Sequence, residues 1–150
     1  MSNQLKIIGG LIKAYWAEIE TVMNYIAHSV NLDGVRAEEI KKSLATEIAD
    51  ELMHAQSLAK RIKELGGTTP GSKEFKPEQT TLQPSQDSTD VMTVIKGVID
   101  AEKSAIKQYK EIIKLCEGED YVTQDLCIRS LADEESHKSI FEGFLKEYTK

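Results

Sequence analysis

Two short stretches decide how this chain is read: Asp50-Glu51-Leu52-Met53-His54 and Asp133-Glu134-Glu135-Ser136-His137. In each, a glutamate and a histidine stand three positions apart, a spacing that puts both side chains on one face of a helix. Each pair also interrupts an apolar stripe. Around the first run Ile40, Leu44, Glu47, Glu51, His54, Leu58, Ile62 and Leu65; around the second run Cys127, Leu131, Glu134, His137, Phe141, Phe144 and Tyr148. Spacings of three and four mark the buried face of an amphipathic helix. A lone carboxylate on such a face costs on the order of several kcal/mol, so it protonates or finds a partner.

Working outward, two more helical stripes carry the same interruption. Leu11, Tyr15, Glu18, Val22, Tyr25 and Ser29 form one; Ile95, Val98, Glu102, Ala105, Tyr109, Ile112 and Cys116 form the other. Turn sequences lie at Asn31-Leu32-Asp33-Gly34 and Glu117-Gly118-Glu119-Asp120. Glu18 stands 16 residues before Gly34 and Glu51 stands 17 after it; Glu102 and Glu134 stand 16 before and 16 after Gly118. At about 1.5 Å per residue all four carboxylates sit about 24 Å from their turns. The chain therefore reads as an imperfect duplication, Glu-x6-Tyr followed by Glu-x2-His, used twice. Glutamate fills 17 of the 150 positions, so one Glu-x2-His pair could be accidental. Two pairs on core faces, each with a partner glutamate at the same height, are not.

The fold follows from the breaks. The spacing predicts helices over about 3–31, 36–65, 89–117 and 121–148, all within one domain spanning 1–150, with Ser88-Thr89-Asp90 supplying N-cap chemistry for the third. Short links make two hairpins. Between them, about 66–88 holds Gly66, Gly67, Pro70, Gly71, Pro77 and Pro84 and is rich in Ser, Thr and Gln, a connection without regular structure. Antiparallel neighbours need only about two to eight linking residues. An extended chain covers about 3.3 Å per residue, enough here to run the length of a ~28-residue helix, about 42 Å. The expectation is an all-α four-helix bundle whose second and third helices are parallel.

Two imidazoles and four carboxylates suit a pair of divalent first-row metals, iron first, then manganese or a mixed pair. Glu18 and Glu102 complete the set, as terminal ligands or as bridges. Tyr25 and Tyr109, each seven residues after a ligand glutamate, read as hydrogen-bond donors to a ligand carboxylate, as electron donors, or as plain core aromatics. Glu47 and Asp50 read first as a solvated face and second as a transit site for iron. Asp133, Glu135 and Glu20 read as surface. His28, with no acid three residues before it, reads as a surface or capping residue.

Composition excludes other classes. Net charge is −6, which argues against nucleic acid or an anionic membrane as the main partner, since both need a basic patch. The N-terminal apolar stretch is short, so neither a signal peptide nor a membrane span is expected, and the location is read as cytoplasmic. Two cysteines, Cys116 and Cys127, make no zinc site or disulfide framework. Their heights differ by roughly 10 Å, against a disulfide between them.

On Glu18-Ile19-Glu20-Thr21-Val22-Met23-Asn24-Tyr25-Ile26-Ala27-His28, Asp50-Glu51-Leu52-Met53-His54-Ala55 and Asp120-Tyr121-Val122-Thr123 leading to Asp133-Glu134-Glu135-Ser136-His137, the chain resembles the ferritin-like superfamily, bacterioferritins most closely. The likeness covers nearly the whole chain. It implies a ferritin-like bundle, a di-iron centre held by Glu18, Glu51, His54, Glu102, Glu134 and His137, and a homo-oligomer. The implied activity is ferroxidase: oxidation of Fe2+ to Fe3+ by O2 or H2O2, for storage or detoxification. The alternative is a peroxide-scavenging or oxygen-using di-metal oxidase without mineral, in the manner of thioferritins and rubrerythrins; a bundle with a vestigial site is the non-enzymatic reading. Bacterioferritins bind haem through a Met directly after the ligand Glu of the second helix. Leu52 stands there, so no haem is expected by that route. Thirteen residues follow His137, leaving no room for a fifth helix. The long loop and Tyr109 are similar to the Dps-like thioferritin branch, whose cysteine pair near the metals Cys116 and Cys127 do not match. The four-cysteine module of a standard rubrerythrin is missing.

Overall fold

The structure is a computed structural model and describes residues 2–150. Its long helices are α1 (Asn3–Asn31), α2 (Glu38–Glu64), α3 (Val91–Cys116) and α4 (Tyr121–Leu145), with short 3-10 turns at Val35–Ala37, Ser72–Glu74 and Lys146–Tyr148. No strand occurs among the described residues. Side-chain caps start three of the helices. Ser2 accepts from the Leu5 N–H, Asp90 from Thr93 and Asp120 from Thr123, each satisfying an N–H the helix itself cannot. Helix α2 grows instead out of the Val35–Ala37 turn, with Glu38 and Glu39 placed against the positive end of its dipole. It stops at Gly66, whose φ of 86° lets Gly67 N–H reach the Ile62 carbonyl.

Contacts across the bundle fix the topology. Asn3 bonds the Leu115 carbonyl and Tyr25 bonds Glu102, so α1 and α3 run antiparallel. Arg61 pairs with Asp120 and His137 with Asp50, so α2 and α4 do too. With α1 and α2 antiparallel in their hairpin, α2 and α3 are parallel, and the crossover spans the bundle's length.

Apolar packing is divided in two. Leu44, Ile95, Val98 and Phe141 centre one buried cluster, at the end that holds the first turn. Leu11, Leu58, Ile62, Ile112 and Cys127 centre the other, at the end that holds the second turn. Each fully buried Leu or Ile contributes about 1.5–3 kcal/mol. Between the clusters, at mid-height, every helix turns a glutamate inward.

The crossover is pinned to α1 and α3 rather than draped over them, and this corrects two expectations. Glu20 is buried, not a surface residue; its carboxylate accepts the N–H groups of Glu78 and Gln79 at 2.8 and 2.9 Å. His28 is buried as well, with Nε2 2.9 Å from the Leu82 carbonyl. Gln79 bonds Asn24 and Thr21, and Leu82 is buried. Gly97 allows this approach: a Cβ there would lie 2.6 Å from the Thr81 carbonyl oxygen. Cys116 and Cys127 are free and buried in the same apolar cluster; burial pushes the Cys127 thiol up to about 12 and Cys116 to about 11.

Candidate metal centre

The six acid and imidazole side chains read from the two Glu-x2-His stretches and their partners meet at mid-bundle, all buried. They form two overlapping groups. Glu18, Glu51, His54 and Glu134 offer one ligand atom each within 4.8 Å of one another; so do Glu51, Glu102, Glu134 and His137. Glu51 and Glu134 belong to both. Of the alternatives left open by the sequence, the helices α2 and α4 therefore supply the shared carboxylates, while Glu18 and Glu102 stand at the two outer ends.

The imidazoles are set for one role. His54 Nε2 lies 2.8 Å from Asp133 Oδ2, and His137 Nε2 lies 2.9 Å from Asp50 Oδ2. With Nε2–H donated to a carboxylate, the lone pair is left on Nδ1. Nδ1 of His54 faces Glu134, Glu18 and Glu51 at 3.3, 3.6 and 3.7 Å. Nδ1 of His137 faces Glu51, Glu134 and Glu102 at 3.0, 3.5 and 3.8 Å. None of these approaches has hydrogen-bond geometry. Both Nδ1 atoms are buried without a partner, as are Glu18 Oε2, both oxygens of Glu51, Glu102 Oε2 and Glu134 Oε1.

Seven buried ligand atoms converge on one another. Each unsatisfied buried polar atom costs about 1–3 kcal/mol, more when charged. A pair of divalent cations satisfies all seven at once, and an N/O donor set of this kind suits iron or manganese. The residues present thus fit a di-metal site.

The tyrosines tie the outer carboxylates down crosswise. Tyr109 OH donates to Glu18 at 2.9 Å and Tyr25 OH to Glu102 at 2.5 Å. Each phenol serves the glutamate of the other hairpin, not the one seven residues before it. Burial, and then the neighbouring carboxylates, raise both phenol pKa values well above the usual range.

Electrostatics show what the cluster does without cations. Burial, followed by Glu18, pushes Glu51 up; burial, followed by Glu134, pushes Glu102 up. Burial works against a charge on either ring, yet Glu134 and Glu18 hold His54 up at about 11, and Glu134 with Glu47 holds His137 at about 9. Glu134 is held well below the carboxylate range, against burial, by the two rings beside it, His137 and His54. The metal-free centre stores protons that a cation must displace.

Three acids around the centre differ from their sequence reading. Asp133 is exposed, as read, and Asp50 is half-exposed, yet their carboxylates meet the Nε2 atoms of His54 and His137 and orient the rings. The signal was present: an Asp directly precedes the ligand Glu in both stretches. Glu47 is buried rather than solvated, with neither oxygen partnered, and burial pushes it up to about 7. It lines a cleft of about 320 Å³ between α2 and α4, together with Asp50, Asp133 and His137. Glu135 is exposed, as read.

A family model described as Ferritin-like domain matches residues 10–150. Bacterioferritin of Desulfovibrio desulfuricans is 30% identical over 142 residues, 94% of this chain and 75% of that protein. Its crystal structure, described as having a di-iron site, superposes with a TM-score of 0.79 at 28% identity, covering 94% of this chain and 78% of the other. The DNA protection during starvation protein of Pyrococcus furiosus is 30% identical over 151 residues, 93% of this chain and 77% of its own. A dodecameric thioferritin of Bacteroides fragilis superposes with a TM-score of 0.86 at 22% identity, covering 97% of this chain and 88% of that one, a likeness of fold.

Proposed function

This chain belongs to the ferritin-like di-iron carboxylate family, and we propose that it is a ferroxidase: it binds two Fe2+ ions as substrate at the mid-bundle centre and passes one electron from each to O2 or H2O2. The observation that carries this reading is the set of seven buried, unpartnered donor atoms split evenly about two shared carboxylates. Glu18 and His54 would hold one ion and Glu102 and His137 the other, with Glu51 and Glu134 belonging to both ligand groups. With H2O2 the balance is two Fe2+, one peroxide and two protons giving two Fe3+ and two waters.

The chain's own groups divide the work. Asp133 and Asp50 fix the ring tautomers so that both Nδ1 lone pairs point inward. Tyr109 and Tyr25 hold the outer carboxylates at one oxygen and leave the other free. The apolar clusters above and below keep bulk water from the centre. Glu47 and Asp50 make the α2–α4 cleft attractive to cations, and we read it as the way in for Fe2+. Leu52 follows the ligand Glu51, so haem is not expected at that position. Manganese or a mixed pair suits the same donors.

Iron storage or detoxification by a homo-oligomer located in the cytoplasm is the cellular role we assign. No helix among the described residues is long and apolar enough to cross a membrane. The test is oxidation of added Fe2+ by O2 and by H2O2, followed by counting iron retained per chain. Rapid oxidation with retention far above two supports a storing ferroxidase. Oxidation with retention fixed at two favours the peroxide-scavenging alternative, and no oxidation contradicts both.

A further inference from the structure

A second pocket lies on the opposite side of the bundle from the acidic cleft. It holds about 490 Å³ between α1, α3 and the crossover segment 76–82, and Glu18 is part of its wall. Its size decides what kind of occupant it suits. A water molecule's share of liquid volume is about 30 Å³, so O2 or H2O2 needs nothing so large. Pockets for organic ligands run from about 300 to 1,000 Å³.

Its lining narrows the class. Ala17, Ala101 and Ala105 leave open the space beside Glu18, and Trp16 supplies a flat indole wall. That shape favours a planar ring system. Ser104 contributes a hydroxyl, and Gln108 spends its NH2 on the Gly10 carbonyl, which leaves its amide oxygen as an acceptor. The lining is net acidic: Lys13, Lys76 and Lys107 stand against Glu18, Glu20, Glu78, Asp100 and Glu111. Glu20 is already spent on two backbone N–H groups. An anionic ligand is repelled by this lining, whereas a neutral ring bearing hydroxyls is matched on its faces and its edges.

We propose that this pocket binds a neutral, planar two-electron donor of the hydroquinone class and that electrons return to the centre from this side. Binding follows from the pocket alone; the electron role rests on the ferroxidase reading, which supplies the Fe3+. The bound hydroquinone breaks two O–H bonds, releases two protons to water at the rim and gives up two electrons, becoming the quinone. Those electrons convert two Fe3+ to two Fe2+. Glu18 belongs to both the pocket wall and the ligand cluster, so a ring seated there lies beside a residue of the centre. The cation cleft between α2 and α4 and the reductant pocket between α1 and α3 are thus separate.

Trp16 is the sole tryptophan of the chain, so its fluorescence reports the pocket directly. Metal-free protein is titrated with menadione, a neutral naphthoquinone. The expected result is saturable quenching, weakened roughly tenfold or more by Ala105→Phe and by Ala17→Phe, two separate ways of filling the cavity. Glu51→Ala, which removes a shared carboxylate and touches no pocket wall, should quench like the unsubstituted protein. Both filled variants are checked by circular dichroism and by anaerobic Mn2+ binding. Quenching that never saturates, or that saturates alike in both filled variants, overturns the pocket whatever the iron chemistry. In iron-loaded protein, anaerobic menadiol should reduce Fe3+ roughly tenfold more slowly in the filled variants, with dithionite reducing all equally. Equal menadiol rates overturn the electron role. A protein that quenches as expected but never oxidises Fe2+ contradicts the ferroxidase reading and leaves the pocket standing.

Discussion

The two hairpins are copies where they meet and strangers where they face outward. Glu18 and Tyr25 recur 84 residues later as Glu102 and Tyr109; Asp50, Glu51 and His54 recur 83 later as Asp133, Glu134 and His137. The structure makes the copying functional by exchanging partners: each tyrosine serves the other hairpin's glutamate, and each histidine the other hairpin's aspartate. Around this symmetric middle the correspondence fails. Glu47 on the cation cleft has Ser130 as its counterpart, and Glu20, which clamps the crossover, has Ser104. Trp16 has Asp100, and His28 has Ile112. A pair of like cations demands equal halves, whereas the routes toward it need not be equal.

The largest effect should come from the shared carboxylates. Glu51→Ala and Glu134→Ala should each abolish tight binding of both ions, about a hundredfold or more, whereas His54→Ala and His137→Ala should each leave one ion bound. Anaerobic calorimetry with Mn2+ reads this as stoichiometries of zero and one against two. If one shared glutamate proves dispensable, the halves are not equivalent.

Next come the ring-orienting aspartates. Asp50→Asn and Asp133→Asn should each cost about 10–100-fold in metal affinity, and by similar factors if the halves are true copies. Titration of each variant with Mn2+ measures the ratio.

pH should separate the metal-free and loaded states. His54 and His137 titrate in the folded chain at about 11 and about 9, above the usual imidazole value, and burial raises Glu51 and Glu102 as well. Groups whose pKa is raised by folding bind more protons folded than unfolded, so their contribution is complete at low pH and is lost as pH rises through the folded values. Glu134, held low, contributes fully across this range and loses its contribution only in acid. The metal-free protein should therefore lose Tm from about pH 6 up through 9 and on toward 11, while Mn2+ binding, which expels the same protons, strengthens over that range. Thermal melts with and without Mn2+ should diverge as pH rises.

The smallest effects belong to the phenols. Tyr25→Phe and Tyr109→Phe should each cost about 1 kcal/mol of stability, the ordinary net worth of one hydrogen bond. Denaturant melts of the two variants should agree; a large difference would show that the crossed pair is unequal.

The centre was legible because charge on an apolar stripe is costly enough to be informative. Glu18, Glu51, His54, Glu102, Glu134 and His137 each break such a stripe, and counting residues from the turns places them at one height. The crossing of the tyrosine bonds was not legible, since it depends on how α1 sits against α3, which periodicity within one helix does not encode. Glu20 and His28 were misread for a related reason. What buries them is the crossover, a segment with no hydrophobic period, so nothing local marked their faces as covered. Glu47 was recoverable: it lies four residues before Glu51 on the same stripe. Asp50 and Asp133 were recoverable too, from their matched position before each ligand glutamate.

The most direct test is a crystal soaked anaerobically in Mn2+ or Fe2+ and read by anomalous scattering. Two peaks at mid-bundle are expected, each beside one histidine Nδ1, with Glu51 and Glu134 touching both. An empty centre, or one peak held without those two carboxylates, would contradict the paired site on which the rest is built.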